Sequence, residues 1–371
     1  MEPFKNELSY QKACRIAGCL KRVHPAFPLP RFRRGLEVAL EPLELKERVS
    51  LLAGRITDCL PPDPPEAFRI LVTALAASEQ DSSGLRGFLV WPLTDIVSRR
   101  GLGHFEESMD ALREMTRRFT AEFAIRAFLR AHRARTLAQL HDWCDHPDEH
   151  VRRLVSEGSR PFLPWGGNLP ELLDAPHPTL ELLEKLHRDT SDYVRLSVAN
   201  HLNDFSKRHP LLVIGTLARW RGEAPGDAHQ EKLARHACRS LLKAGHSGAL
   251  ELLGFGAAGI VKLDSFDLTK ISVPIGDHLG YRLVIRNPGR KAVRVMFDYA
   301  IHHRKANSSL SPKVFKGRTR ELAPGECWEI TGRHSFKPVT TRTYHPGLHR
   351  FEPRLNGEIF QALDFTLERP G

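Results

Sequence analysis

Three arginines, a carboxylate and a tryptophan fall within fourteen residues, in Arg152-Arg153-Leu154-Val155-Ser156-Glu157-Gly158-Ser159-Arg160-Pro161-Phe162-Leu163-Pro164-Trp165. A planar guanidinium suits phosphate through bidentate bonding. A carboxylate stabilises developing positive charge, and an aromatic face attracts a cation. A plainer reading also fits. Arg153 and Glu157, four apart, form a helix-surface pair worth about 0.2–0.5 kcal/mol. Trp165 then covers a loop core. Spacing leaves both readings open.

Glu122 lies in the otherwise apolar run Thr120-Ala121-Glu122-Phe123-Ala124-Ile125-Arg126. It is either satisfied by Arg126 or held for a purpose. Asp204 is either a helix-face acid paired with Lys207 or Arg208, or part of the same site. Trp143 reads as core. The 19 histidines are scattered, without H-E-x-x-H or other metal-ligand spacing. There is no G-x-x-x-x-G-K-[ST], and no G-x-G-x-x-G after a strand. No metal, nucleotide or other cofactor is expected.

The elements that must position these residues repeat. His150-Val151-Arg152-Arg153-Leu154-Val155-Ser156-Glu157 returns as Tyr193-Val194-Arg195-Leu196-Ser197-Val198-Ala199-Asn200, and more weakly in Ala234 to Ser240. A period of roughly 40–47 residues marks HEAT-like helix pairs, which stack into a solenoid with a concave face. Val151, Leu154, Val155 and Gly158 share one helix face, as do Val194, Val198, Leu202 and Phe205. The pattern leaves Arg152, Arg153, Ser156 and Glu157 on the other side of the first helix. Asn200 and Asp204 share the open side of the second, as do Asn203 and Lys207. Alignment of the copies makes Glu157, Asn200 and Ser240 equivalent, facing a common groove.

Helical spacing extends over residues 1–258, for example in Leu36, Ala39, Leu40, Leu43 and Leu45, and in Ile70, Leu71, Ala74 and Leu75. Breakers include Pro61 to Pro65, Asp81-Ser82-Ser83-Gly84 and Pro161 to Gly167. Past Gly254 to Gly259, short alternating runs take over: Tyr281 to Ile285, Val293 to Phe297 and Cys327 to Ile330. Asn287-Pro288-Gly289 and Ala323-Pro324-Gly325 punctuate them. The fold class is therefore an all-α HEAT-like solenoid over 1–258 followed by an all-β immunoglobulin-like sandwich over 259–371.

The chain has 371 residues, of which 41% are apolar, and a net charge of +11. Residues 259–371 hold 19 Lys and Arg against 11 Asp and Glu, so most of the excess lies there. Such a charge points to a polyanion. Arg304 to Arg320 has six cations and no acid, and it reads as a mobile loop. Its Lys313, Lys316, Arg318 and Arg320 are either a backbone clamp or a solvated surface. The six cysteines show no metal spacing and read as reduced, mostly buried thiols. The start is too polar for a secretory leader, and the longest apolar run is about half a membrane span. A cytoplasmic protein with no membrane partner is expected.

Several pieces in order resemble the AlkC branch of the DNA alkylation repair glycosylases, which are relatives of AlkD. They are Phe4-Lys5-Asn6-Glu7-Leu8, Leu43 to Val49, Ala121 to Arg126, His150 to Leu154 with Ser156-Glu157-Gly158, Arg160-Pro161 with Leu163-Pro164-Trp165, and Tyr193 to Arg195 with Ser197 to Asn200 and Leu202 to Asp204. Some members of that branch carry a C-terminal immunoglobulin-like domain. The departures are Asn6, where the branch has Asp, and Gly166-Gly167 after the tryptophan.

The resemblance implies a monofunctional glycosylase that releases cationic N-alkylated bases, 3-methyladenine and also 3-methylcytosine, from duplex DNA. It implies no base-flipping pocket and no lyase step. It assigns Glu157 and Glu122 to electrostatic stabilisation and water positioning, Trp165 to the aromatic contact, and Asp204 to the active site. It leaves Arg152, Arg153, Arg160 and Arg195, with Asn200 and Lys207, as DNA contacts. The expected partner is double-stranded DNA with alkylated bases, bound by a monomer in the bacterial cytoplasm and nucleoid. The competing reading is a non-catalytic HEAT scaffold for DNA or a protein, in which both glutamates are paired off.

Overall fold

The computed structural model describes residues 3–76, 84–256, 259–339 and 342–369. The breaker at Asp81-Ser82-Ser83 lies outside them, and so does residue 258, where the helical region was expected to end. The chain divides into two compact units, Met1–Phe205 and Ser206–Gly371. The helices of residues 210–252 thus group with the strands, rather than with the helices before them.

The first unit is helical. Its repeats follow from the apolar stripes. In Glu149–Gly158, Val151, Leu154 and Val155 are fully buried, and Asp148 caps the helix by accepting the His150 N–H at 2.8 Å. This helix packs on Asp192–Phe205 of the next repeat, and Arg133–Trp143 packs on His177–Leu186. Trp143 is core, as expected. Leu36 to Leu45 is not one helix. Pro42 separates Leu36–Leu40 from Leu45–Thr57, which starts on a Glu44/Glu47 capping box.

The second unit opens with helices between Pro210 and Leu252. The third repeat copy is broken. Ala228–Ala237 ends at Cys238, and Ser240 belongs to the separate helix Arg239–Ala244, so it does not continue the Glu157 and Asn200 positions along one helix.

The sandwich then forms from two sheets. One runs Ser272–Pro274, Leu363–Glu368, Gly347–Leu355, Val293–Arg304, Leu310–Leu322, with Glu358–Ile359 added on Gly347–Leu355. The other runs Lys262–Leu268, His278–Arg286, Cys327–Ser335. Alternation reads cleanly in Cys327 to Ile330, where Trp328 and Ile330 are buried while Cys327 and Glu329 are exposed. Arg304 to Arg320 is not a loop. Only Lys305 to Ser309 turn, and Leu310–Leu322 is an edge strand paired with Val293–Arg304. Cations on an exposed edge protect it against pairing with another chain, which explains a strand that reads as a loop.

Candidate active site

Five side chains from distant positions form one alternating chain of charge. Glu122 meets Arg153, Arg153 approaches Glu157, Glu157 meets Arg160, and Arg160 meets Asp204. Gly158 makes the first junction possible. A Cβ there would stand 2.5 Å from Ile125 Cγ2, with the Glu122 Cα only 3.8 Å away, so the helix end rests directly on the Glu122 turn.

Glu122 is 8% exposed. Its Oε2 accepts Thr120 Oγ1 at 2.7 Å and the Arg153 guanidinium. Arg126 is not its partner, contrary to the simplest reading of the spacing. Glu157 is 5% exposed, not on an open face. Its Oε1 accepts Arg160 Nη1 at 2.6 Å and lies 3.6 Å from Arg153 Nη2. Its Oε2 accepts the Ser197 hydroxyl at 2.6 Å. Ser197 arrives from the next repeat and closes the side that one helix alone would leave open.

Asp204 meets Arg160. Arg160 Nε donates to Oδ2 at 2.9 Å and Nη2 to Oδ1 at 3.3 Å. Burial disfavours the Arg160 charge, but the bonds to Asp204 and Glu157 outweigh it and hold the guanidinium above its ordinary range. Three carboxylates and two guanidiniums thus meet in one largely buried network.

The aromatic part adjoins it. Trp165 stands at the tip of the hairpin Phe162–Leu163/Gly167–Asn168, at φ +66°, and the residue is 52% exposed. It stacks on Trp91 at 6.3 Å and 6°, and Trp91 stacks on Phe123 at 4.6 Å, next in sequence to Glu122. Lys46 Nζ donates to the Trp165 carbonyl at 2.5 Å. Gly166 packs on Leu163 where a Cβ would clash at 2.5 Å, and Gly167 turns at φ +75°, so both glycines serve the hairpin.

The arginines expected on phosphate are engaged inside the protein. Arg152 makes a fork to Asp189 at 2.6 and 3.0 Å and donates to the carbonyls of His146 and Pro147. Arg195 bonds Asp192 and the Asp189 carbonyl. Arg153 and Arg160 belong to the charge chain. Spacing shows where a guanidinium starts, not which carboxylate a neighbouring repeat delivers. Asn200 is half-buried on Asp192–Phe205, and Lys207 is exposed in the second unit. Lys313, Lys316, Arg318 and Arg320 lie on the edge strand, with Arg320 bonded to Glu326 at 2.6 Å.

Sequence reasoning missed Ser197, Thr120 and Tyr193 as members of the site. Tyr193 lies under Arg153, whose Cζ is 5.0 Å from the ring centroid, a cation–π contact that no motif signals. Among the described residues, no group of three or more His, Cys, Asp or Glu could hold a metal ion. No helix among them is long and apolar enough to cross a membrane.

Comparison with known proteins gives three results. Residues 262–369 match the family described as Uncharacterised protein YhaZ, C-terminal Ig-like domain. The chain is 39% identical over 345 residues to Uncharacterized protein YhaZ of Bacillus subtilis strain 168, covering 93% of each. It also resembles the structure of Pseudomonas fluorescens alkylpurine DNA glycosylase AlkC bound to DNA containing an abasic site analog, with a TM-score of 0.91 and 33% identity over 99% of this chain and 100% of that one.

Proposed function

The chain belongs to the AlkC family, in the form with a C-terminal immunoglobulin-like domain, and on that premise we propose that it is a DNA glycosylase for cationic N-alkylated bases. Its substrates are 3-methyladenine and 3-methylcytosine in duplex DNA, cut by hydrolysis of the N-glycosidic bond. The observation that carries this is the pair of buried carboxylates Glu122 and Glu157, held in place by arginines, with the exposed Trp165 linked through Trp91 to Phe123 beside Glu122.

A base methylated at N3 is already cationic and leaves as a neutral molecule. As the bond breaks, positive charge moves to the sugar. Glu157 and Glu122 stabilise that oxocarbenium character and orient the water that adds to C1′, with its proton passing to a carboxylate. Trp165 attracts the cationic base. Asp204 acts through Arg160 as a positioning residue. The chemistry needs no amine nucleophile, so the strand stays intact at the abasic site, and no flipping pocket is required. The protein acts as a monomer.

One observation favours the scaffold reading: both glutamates are bonded to arginines. Assay of methylated base released from alkylated duplex decides between the two, since a scaffold releases none.

Trp165→Ala slows excision of cationic lesions while the thermal midpoint stays nearly constant. A cation–π contact of about 0.5–2 kcal/mol corresponds to a few-fold to roughly 30-fold loss. A ring that only covered a loop core would give the reverse, with lost stability and an unchanged rate in the folded fraction. Both quantities are read on one preparation.

We propose that residues 259–371 form a DNA-contacting accessory domain through the basic edge strand. Neutralising Lys313, Lys316, Arg318 and Arg320 together weakens binding to long duplexes. It also lowers the slope of log K against log salt by about 0.9 for each phosphate no longer neutralised. Unchanged binding at physiological salt would leave those cations the role of protecting the edge.

A further inference from the structure

The Trp165 hairpin is held by a residue outside the charge chain. Arg126, on the helix Ile125–Ala131, is 0% exposed. Its Nη1 donates to the Gly158 carbonyl at 3.0 Å and the Arg160 carbonyl at 2.7 Å, and its Nη2 to the Gly167 carbonyl at 2.8 Å. One turn later on the same helix, Arg130 Nη2 reaches the Asn168 carbonyl at 3.3 Å.

Among the described residues, no carboxylate bonds Arg126. Burial, with help from Arg130, lowers its pKa to about 10, so it stays cationic at neutral pH. A buried charge without a counter-ion is costly and persists only when its donors are well used. Here Nη1 and Nη2 give three bonds to backbone carbonyls, and Nε is left without a partner. Gly158 O lies at the C-terminal, negative end of the Glu149–Gly158 helix, which favours the cation.

The three carbonyls share one property: they bracket the chemistry. Gly158 follows Glu157. Arg160 carries the guanidinium between Glu157 and Asp204. Gly167 closes the turn after Trp165. We infer that Arg126 is a positioning residue for excision: its clamp on Gly158, Arg160 and Gly167 fixes where the Trp165 ring stands relative to Glu157. The role rests on the glycosylase reading.

Trp91, Trp143, Trp220 and Trp328 are buried and Trp165 is exposed, so iodide quenching of fluorescence reports Trp165. The test compares full-length wild type with Arg126→Met, which removes every donor, and Arg126→Lys, which keeps the charge and fewer donors. Arg126→Met should raise the quenching of Trp165 and lower the single-turnover rate on 3-methyladenine duplex by about 100-fold, as a misplaced group does, with duplex Kd unchanged. Arg126→Lys should recover part of both. If Arg126→Met fails to fold, Arg126→Lys decides by the same two readouts. A folded variant with wild-type quenching and full rate would overturn the inference. Raised quenching with no base released by the wild type would overturn the excision role through the glycosylase reading, not through the clamp.

Discussion

Replacing Glu157 by alanine lowers single-turnover base excision by several orders of magnitude and leaves most DNA affinity in place. The carboxylate is 5% exposed and fixed by Arg160 and Ser197, so it is oriented before any substrate arrives. Preorganised groups of this kind act where charge develops in the transition state, and loss of one costs about 10²–10³ in rate. Glu157 assists water positioning as well, which takes the effect beyond that range. Ground-state binding depends little on it, because phosphate contacts dominate affinity. Arg160 keeps its bond to Asp204 in the variant, so the fold survives. Excision rates and duplex Kd values for wild type and Glu157→Ala check this. A folded variant with an unchanged rate removes Glu157 from the mechanism.

Arg160→Ala has the largest effect on stability. Its guanidinium links two buried carboxylates, Glu157 and Asp204, and removal leaves both with less compensation. Breaking a buried pair from one side costs about 3–5 kcal/mol, because the orphaned charge cannot reach water. The urea midpoint should fall accordingly, with the slope unchanged. An exposed phosphate-binding arginine would behave otherwise: the midpoint would hold and the salt dependence of DNA binding would drop.

The helical repeats were legible because one stripe, such as Val151, Leu154 and Val155, needs only local sequence to be seen. Glu157 and Trp165 were legible as candidates from their company. Their surroundings were not. A helix in a stack is covered by the next repeat as well as by its own partner. Ser197, forty residues on, therefore turns an apparently open Glu157 into a buried one. The same limit misread Arg126, whose partners are carbonyls and carry no side-chain signature. It also hid the fork of Arg152 to Asp189, which crosses between repeats. The strand Leu310–Leu322 was missed because its cations serve an edge, where inside-outside alternation is weak.

The central claim is that this charge chain and Trp165 release cationic bases hydrolytically. The most direct measurement incubates the full-length protein with duplex DNA carrying 3-methyladenine and follows free base and strand length together. Hydrolysis predicts free 3-methyladenine, with the strand uncut until alkali is added. DNA binding with no base released, at any protein concentration, would contradict it and leave a scaffold.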